Sequence, residues 1–352
     1  FQVYFERVKK RYVMLSEGSH YVDLSCIRSF FLEEWEEPIE SLSEDARSYL
    51  LSSAASNLMA LGHIDESIVP MQSSIGSYLE NEMWLEAAGS AGPYISMLIE
   101  TGNLVNALDT LDQFKNCVNS SQNVVIEAMD NSFRGYACHL NGRSSEAGIF
   151  FGLAEEILQL EDPGVEVNFP TVSSYYIKFL LETGRVDEAL QRSNQTFSWR
   201  KNRAWQTRID APSVFASDVL VAGLIYMRKG EFAKAKQYLD EQISIFRGAH
   251  EWLYIPTGLS YRAAFFIEIE DFESAEMDLD EALQISLKSG ALFCQWEALI
   301  NYSALNIKKE KFDAARNYLE KALSIPKMRA YKFRDNQIRE YAEKLGMQVN
   351  LD

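Results

Sequence analysis

Apolar positions recur along this chain in a pattern that returns after forty residues. The stretch EDFESAEMDLDEAL, residues 270–283, comes back as EKFDAARNYLEKAL, residues 310–323, with six of the fourteen positions identical. The shared aromatic, alanine and leucine positions fall on one face of a helix, while most of the acidic positions between them fall on the other. What repeats is therefore a packing face, and the carboxylates are predicted to be mostly solvated.

The turn before each such helix marks the repeat and can be followed along nearly the whole chain. Read from the C-terminal end, the turn positions lie 40, 40, 46, 42, 40 and 40 residues apart, at Glu310, Glu270, Gly230, Gly184, Gly142, Gly102 and Gly62, with a weaker eighth at Gly18. Self-similarity at this period indicates an array of repeated units. An amphipathic stretch precedes each turn and another follows it, so each unit is predicted to be a pair of helices.

Residue types at the repeat positions suit such a helical pair. Glycine favours the left-handed backbone conformation that ends a helix. Glu270 and Glu310 replace glycine in the last two units, where we expect a different turn geometry. Ala235, Ala275 and Ala315 are predicted to lie where helices cross, because a small side chain permits close approach. No strand-like alternation persists, which predicts an all-α fold, a right-handed α-solenoid of about eight helical hairpins.

The spacing of glycine, aromatic, alanine, bulky residue and alanine resembles the tetratricopeptide repeat (TPR). That repeat usually has about 34 residues, so the forty-residue units here should have longer helices or looser connections. The resemblance implies a superhelix whose first helices line a concave face that binds protein or peptide ligands.

Longer stretches resemble the TPR regions of bacterial STAND-type NTPases, the NACHT and NB-ARC signalling ATPases. The motifs are Pro-x-Gly-Leu-x-x-Arg-Ala at 256–263, Asp-Leu-Asp-Glu-Ala at 278–282 and Tyr-x-x-Arg-Asp at 331–335. EEPIESLSEDARSYLLSSAASNLMALGHIDESIVPMQSSI, near the other end, also matches. The resemblance implies a sensor region that binds a trigger and regulates an attached ATPase, with antiviral signalling as a candidate role. A stand-alone TPR scaffold or a peptide-pheromone regulator is the alternative.

The chain begins with Phe and contains no GxxxxGK[ST] phosphate-binding loop. We therefore expect it to be part of a longer protein. The resemblance implies that its NTPase or effector region would lie N-terminal to these repeats.

Composition narrows the functional classes. A net charge of −17, from 51 acidic and 34 basic residues, opposes nucleic-acid binding. The four cysteines include no CxxC pair and the four histidines lack metal-ligand spacing, which favours a reducing, cytoplasmic setting without a metal site. No uncharged apolar run reaches the length of a membrane helix. Without a catalytic constellation, we predict no enzyme activity, no cofactor and no membrane partner.

The predicted ligand surface follows the inward positions of the first helices. It comprises Tyr136, His139, Lys178, Leu220, Leu224, Met227, Arg228, Ile267 and Lys308. This mixture of aliphatic and basic side chains suits a helix or an extended peptide with an apolar stripe. The alternative is that several of these residues pack against the next helix instead.

A second candidate surface lies between Gly184 and Gly230, where the repeat spacing is 46 residues. This interval contains the segment FSWRKNRAWQTRID, residues 197–210. It places basic residues beside tryptophans in an otherwise acidic chain: Trp199, Arg200, Lys201, Arg203, Trp205 and Arg208. The segment could dock an acidic partner or the expected NTPase region. Alternatively it is a long helix end whose tryptophans pack on the core and whose bases balance neighbouring acids.

Two further stretches interrupt the repeat. Gly89, Gly92 and Pro93 should either delay the start of a helix to about Pro93 or kink it. A kink on the concave side could widen the groove; the alternative is a plain loop. Residues 161–172 contain proline and glycine and should form a connection.

These features predict one superhelical domain over residues 1–352. It comprises an N-terminal hairpin at 1–43, repeats at 44–200, the basic insertion at 201–212, repeats at 213–326 and a C-terminal capping helix within 327–352.

Overall fold

Helical hairpins follow one another along this protein. The structure is a computed structural model that describes residues 2–4, 20–161, 170–203 and 212–351. In these residues seven hairpins pack in sequence, and each pairs a first helix with a second. They are α2 (Glu44–Ala60) with α3 (Ile64–Glu80), α4 (Trp84–Glu100) with α5 (Leu104–Ser121), α6 (Val124–Leu140) with α7 (Ser144–Glu161), α8 (Pro170–Glu182) with α9 (Val186–Arg203), α10 (Pro212–Arg228) with α11 (Phe232–Gly248), α12 (Ile255–Glu268) with α13 (Phe272–Ser289), and α14 (Leu292–Lys308) with α15 (Phe312–Leu323).

This arrangement confirms the predicted all-α solenoid of TPR-like hairpins. Its C-terminal end is formed by 3-10 turns at Pro326–Ala330 and Lys332–Arg334, followed by α16 (Asp335–Lys344). The eighth turn, at Gly18, lies outside the described residues, as do residues 204–211 of the basic insertion and 162–169 of the expected connection.

The turns within the hairpins share one backbone conformation. The five glycines at these positions have φ between 73° and 84°, and Glu270 and Glu310 have φ of 62° and 55°. The expected change of geometry at the two glutamates is therefore wrong. The same hydrogen bond closes both kinds of turn: Gly230 N donates to Met227 O at 3.1 Å, and Glu270 N donates to Ile267 O at 3.3 Å. Packing of the hairpin holds an ordinary residue in the left-handed region.

Small and large residues alternate at the helix crossings as the repeat predicts. Ala235, Ala275 and Ala315 have no exposed surface, and neither do the leucines four positions after each of them. Each alanine lets two backbones approach, and the leucine one turn later fills the space between helices. The same packing face thus recurs in three consecutive units.

The N-terminal segment departs from the helical pattern. After α1 (His20–Ile27) and a 3-10 turn at Arg28–Phe30, β1 (Phe31–Glu33) pairs antiparallel with β2 (Glu37–Pro38). Trp35 reverses the chain with φ of 66° and packs its ring against Phe31, with the centroids 5.4 Å apart. Strands this short show no alternation in the sequence, so the hydrophobic pattern does not predict them.

Helix α4 runs without interruption from Trp84 to Glu100, although it contains Gly89, Gly92 and Pro93. The expected start near Pro93 is wrong. Gly92 has a packing reason, because a Cβ atom there would lie 3.0 Å from the ring of Phe133 on α6. The missing side chain allows α4 and α6 to approach, and packing outweighs the poor helix propensity of glycine and proline.

The C-terminal half of the solenoid packs back onto the hairpin turns of the N-terminal half. Tyr331 donates its hydroxyl to the Ile99 carbonyl at 2.5 Å, and Asn141 Nδ2 donates to the Ala330 carbonyl at 2.9 Å. The Leu253 amide reaches the Ala60 carbonyl at 3.3 Å. These contacts join successive turns of the superhelix and give its first helices a shared interior.

We predict that replacing Glu270 or Glu310 with glycine stabilises the protein. A non-glycine residue in the left-handed region costs about 1 kcal/mol. Glycine removes this cost, but it also gives the unfolded chain more conformational entropy, which offsets part of the gain. Each variant should gain roughly 0.5 kcal/mol in the free energy of unfolding, measured by urea denaturation. Gly230→Ala is the matched control, since the space around Gly230 is open and its φ is 73°, and it should lose stability. A loss of stability in Glu270→Gly would contradict the strain argument.

Candidate functional site

A groove of about 750 Å³ opens between the first helices of the C-terminal half of the solenoid. Helices α8, α10, α12 and α14 form its wall, and α16 closes one side. Six of the nine side chains predicted for the concave face line this groove: Lys178, Leu224, Met227, Arg228, Ile267 and Lys308. The structure thus brings together residues that are up to 130 positions apart in sequence.

The groove combines an apolar surface with charges of both signs. Leu224, Met227, Ala264, Ile267, Ala304 and Ile307 supply aliphatic surface from three successive first helices. Arg228 and Lys308 are exposed at the last turns of α10 and α14, and Glu268 occupies the same position on α12. In all, five basic and five acidic side chains line the groove, so it is neutral within a strongly acidic chain. Such a lining can hold an apolar side chain and orient the polar groups beside it.

Arg334 fixes the C-terminal segment to the groove wall. Its Nη2 and Nε lie 2.8 Å and 3.0 Å from the carboxylate of Glu297 on α14, and its Nη1 lies 3.4 Å from Glu182 on α8. Burial lowers the pKa of Arg334, but the carboxylates of Glu297 and Glu182 more than offset this, so the guanidinium stays charged. The Tyr-x-x-Arg-Asp motif contains this arginine, although sequence reasoning did not assign it to a site.

A small chamber of about 20 Å³ adjoins the groove at its inner end. We call it the inner chamber; its walls include Glu100, Tyr136, Lys178, Ser260, Tyr261 and Cys294. Lys178, Tyr261 and Glu297 also line the groove, so they stand where the two spaces meet. Tyr136, a predicted concave residue, is 7% exposed, stacks on Tyr175 with the ring centroids 4.2 Å apart, and borders the chamber rather than the groove.

Two of the predicted concave residues belong to the core. Leu220 is 3% exposed and packs with the buried residues of α11 and α12. His139 is 5% exposed, and its ring lies between Phe179 and Phe333, with centroids 5.4 Å and 5.6 Å away. Burial lowers the pKa of His139 to about 4. These two residues support the walls of the site from behind.

Arg200 is the residue of the basic insertion whose side-chain contacts the structure describes. Arg200 is 7% exposed, and its Nε donates to Asp218 on α10 at 2.6 Å. Breaking a buried pair of this kind typically costs about 3–5 kcal/mol, so this arginine acts in the fold rather than on the surface. Trp199, Lys201 and Arg203 lie on the last turns of α9, whereas Trp205 and Arg208 lie outside the described residues.

Charged residues of the other two sequence motifs form ion pairs that hold helices together. Arg262 of the Pro-x-Gly-Leu-x-x-Arg-Ala motif makes two hydrogen bonds to Asp278 of the Asp-Leu-Asp-Glu-Ala motif, at 2.7 Å and 2.8 Å. Its Nη1 also reaches Asp240 at 2.7 Å. These contacts tie α11, α12 and α13 together behind the groove.

Within the described ranges, no group of three or more histidine, cysteine or acidic side chains could hold a metal ion. In the same residues, no helix is long and apolar enough to cross a membrane.

Comparisons with known proteins agree with this architecture. The family model for the tetratricopeptide repeat matches residues 220–247 and 297–327, which fall on α10–α11 and on α14, α15 and the turn that follows. These two segments are TPR-like units, and repeats of this kind serve as protein-interaction scaffolds. A search of the curated proteins finds no match.

Among solved structures, the chain is similar to a tetratricopeptide repeat protein from Parabacteroides merdae ATCC 43184. The identity is 11%, the TM-score is 0.44, and the match covers 86% of this chain and 99% of the other.

We predict that His139 makes the protein acid-sensitive. The folded pKa lies below the unfolded value of about 6.5, so the contribution of the neutral ring is present above pH 6.5 and is lost as pH falls toward 4. Between pH 7 and pH 4.5, the free energy of unfolding of the wild type should fall by about 2–3 kcal/mol more than that of His139→Phe, measured by urea unfolding. The exposed His63→Gln is the control. Parallel stability curves for wild type and His139→Phe would contradict the prediction.

Proposed function

We propose that this chain is a recognition scaffold whose groove binds a peptide segment of a protein partner. One observation carries the proposal: six side chains selected as inward-facing from the repeat line a single cavity. Its volume lies within the range of about 300–1,000 Å³ that is typical of ligand sites. The aliphatic surface suits an apolar side chain of the peptide, and the rim charges of both signs suit polar groups on either side of it.

We further propose that the scaffold is the sensor region of a STAND-type signalling ATPase of bacterial, cytoplasmic origin. The support is the sequence resemblance at residues 256–263, 278–282 and 331–335. A trigger peptide in the groove would touch α16 and the first helices together, and the attached NTPase or effector region would respond to that contact. Antiviral signalling is the role that this resemblance suggests.

The alternative is a stand-alone TPR scaffold or a peptide-pheromone regulator. The reading frame upstream of Phe1 separates the two. A phosphate-binding loop there supports the ATPase sensor, whereas a short helical DNA-binding region or a nearby start codon supports the alternative.

The groove is tested by filling it. Ala264→Arg and Ala304→Arg add bulk at half-buried positions in the groove without removing core side chains. We expect the double variant to fold and to lose at least tenfold in affinity for a captured partner, measured by titration calorimetry. Ala314→Arg places the same change on α15, outside the groove, and should bind normally. Unchanged binding by the folded double variant would exclude the groove as the partner site.

The basic insertion is proposed as a second docking element. Its test reverses Arg203 and Arg208 to glutamate together and keeps Arg200, because the Arg200 pair with Asp218 maintains the fold. We expect weaker capture of an acidic partner and a normal thermal unfolding temperature. If capture is unchanged, the insertion serves only the packing of α9 and α10.

A further inference from the structure

The inner chamber contains a lysine that lacks an ion partner. Among the side chains that the structure describes, every other lysine or arginine that is shielded from full exposure lies within 4.0 Å of a carboxylate. Lys178 is the exception, and its Nζ lies instead 5.6 Å from the centroid of the Tyr261 ring. The Lys178 ammonium can therefore donate a hydrogen bond to an acceptor on a ligand.

A carboxylate faces the same chamber from α4. Glu100 Oε2 accepts a hydrogen bond from the Cys294 thiol at 3.2 Å, and no described cation lies within 4.0 Å of it. Burial raises the pKa of Glu100 and lowers that of Lys178, and each charge partly opposes the shift of the other. The two groups therefore lie in one electrostatic environment without forming a direct pair.

Ser260 adds a third polar group to the chamber. This residue is 3% exposed, and its Oγ has no hydrogen-bond partner among the described residues. A buried hydroxyl without a partner is costly, and a ligand group could satisfy it. The chamber thus offers the Lys178 ammonium as a strong donor, the Glu100 carboxylate as a strong acceptor and the Ser260 hydroxyl, which can act as either. Glu297 also lines the chamber, but both of its carboxylate oxygens already accept hydrogen bonds from Arg334.

A charged ligand would match only half of this arrangement. A cation would be repelled by Lys178 and an anion by Glu100, because like charges are poorly screened in this buried space. A neutral group with a donor on one side and an acceptor on the other matches both. The volume of about 20 Å³ admits a group little larger than water and excludes an aromatic ring.

We propose that the inner chamber binds a primary carboxamide, the side chain of a glutamine or asparagine in the peptide held by the groove. The amide nitrogen would donate to Glu100, and the carbonyl oxygen would accept from Lys178. Ser260 would complete the hydrogen bonding. This inference rests on the proposed peptide-binding function and specifies which side chain the site selects.

The selectivity can be measured with nonapeptide sub-libraries that carry a fluorescein label. Each sub-library fixes Gln, Asn, Glu, Lys or Leu at the central position and has only uncharged residues other than Asn and Gln elsewhere. We expect the Gln or Asn sub-library to bind at least tenfold more tightly than the Glu, Lys and Leu sub-libraries in fluorescence polarisation. Equal binding of the Leu sub-library would overturn the carboxamide assignment and leave peptide binding intact. If no sub-library binds, both proposals fail.

Two variants test whether the ligand group in the chamber is neutral, cationic or anionic. Lys178→Met and Glu100→Met should each weaken binding of the Gln or Asn sub-library by about tenfold, because each removes one of two complementary contacts. A cationic ligand group would bind Lys178→Met more tightly and Glu100→Met less tightly, and an anionic group would show the reverse. Either of these opposite-sign results would overturn the proposal.

Controls keep the result interpretable. Lys288→Met changes an exposed lysine on the last turn of α13, outside both the groove and the chamber, and should leave binding of every sub-library unchanged. Thermal unfolding verifies that each variant is folded. Ser260→Ala removes only the unpartnered hydroxyl, so it replaces either methionine variant that fails to fold. It should weaken carboxamide binding severalfold. Unchanged binding would count against the proposal.

Discussion

Arg334 lies between the carboxylates of Glu182 and Glu297, and this contact joins three parts of the chain that are distant in sequence. It connects the C-terminal segment to α8 and to α14, which both line the groove. A guanidinium can reach both carboxylates because its donors form a rigid, planar fork.

The groove depends equally on the return of the superhelix onto itself. Hydrogen bonds from Tyr331, Asn141 and Leu253 bring the C-terminal half against the hairpin turns of α2, α4 and α6. Glu100, at the end of α4, is placed opposite Lys178 of α8 by the same arrangement. The inner chamber therefore exists only because early and late repeats meet.

Charge is distributed so that the interior of the superhelix differs from its surface. The chain carries a net charge of −17, yet the groove is lined by equal numbers of acidic and basic side chains. The excess of carboxylates must therefore lie elsewhere on the molecule, as on the wet face of α13. A neutral groove can admit a peptide by its shape and its hydrogen bonds, while the acidic exterior repels polyanions.

The sequence alone determined the repeat, the helical pairs and the packing face, because these depend on local periodicity and on small residues at fixed spacing. Ala235, Ala275 and Ala315 follow from this pattern, and the resemblance to the TPR adds six of the groove residues. Tertiary structure decided the rest. It kept α4 continuous through Pro93 and held Glu270 in a left-handed turn, since packing outweighs local preference. It also buried His139 and Leu220, turned Arg200 inward to Asp218, and placed Arg334 and Glu100 at the site. Such long-range contacts arise from the curvature of the superhelix, which no single repeat encodes.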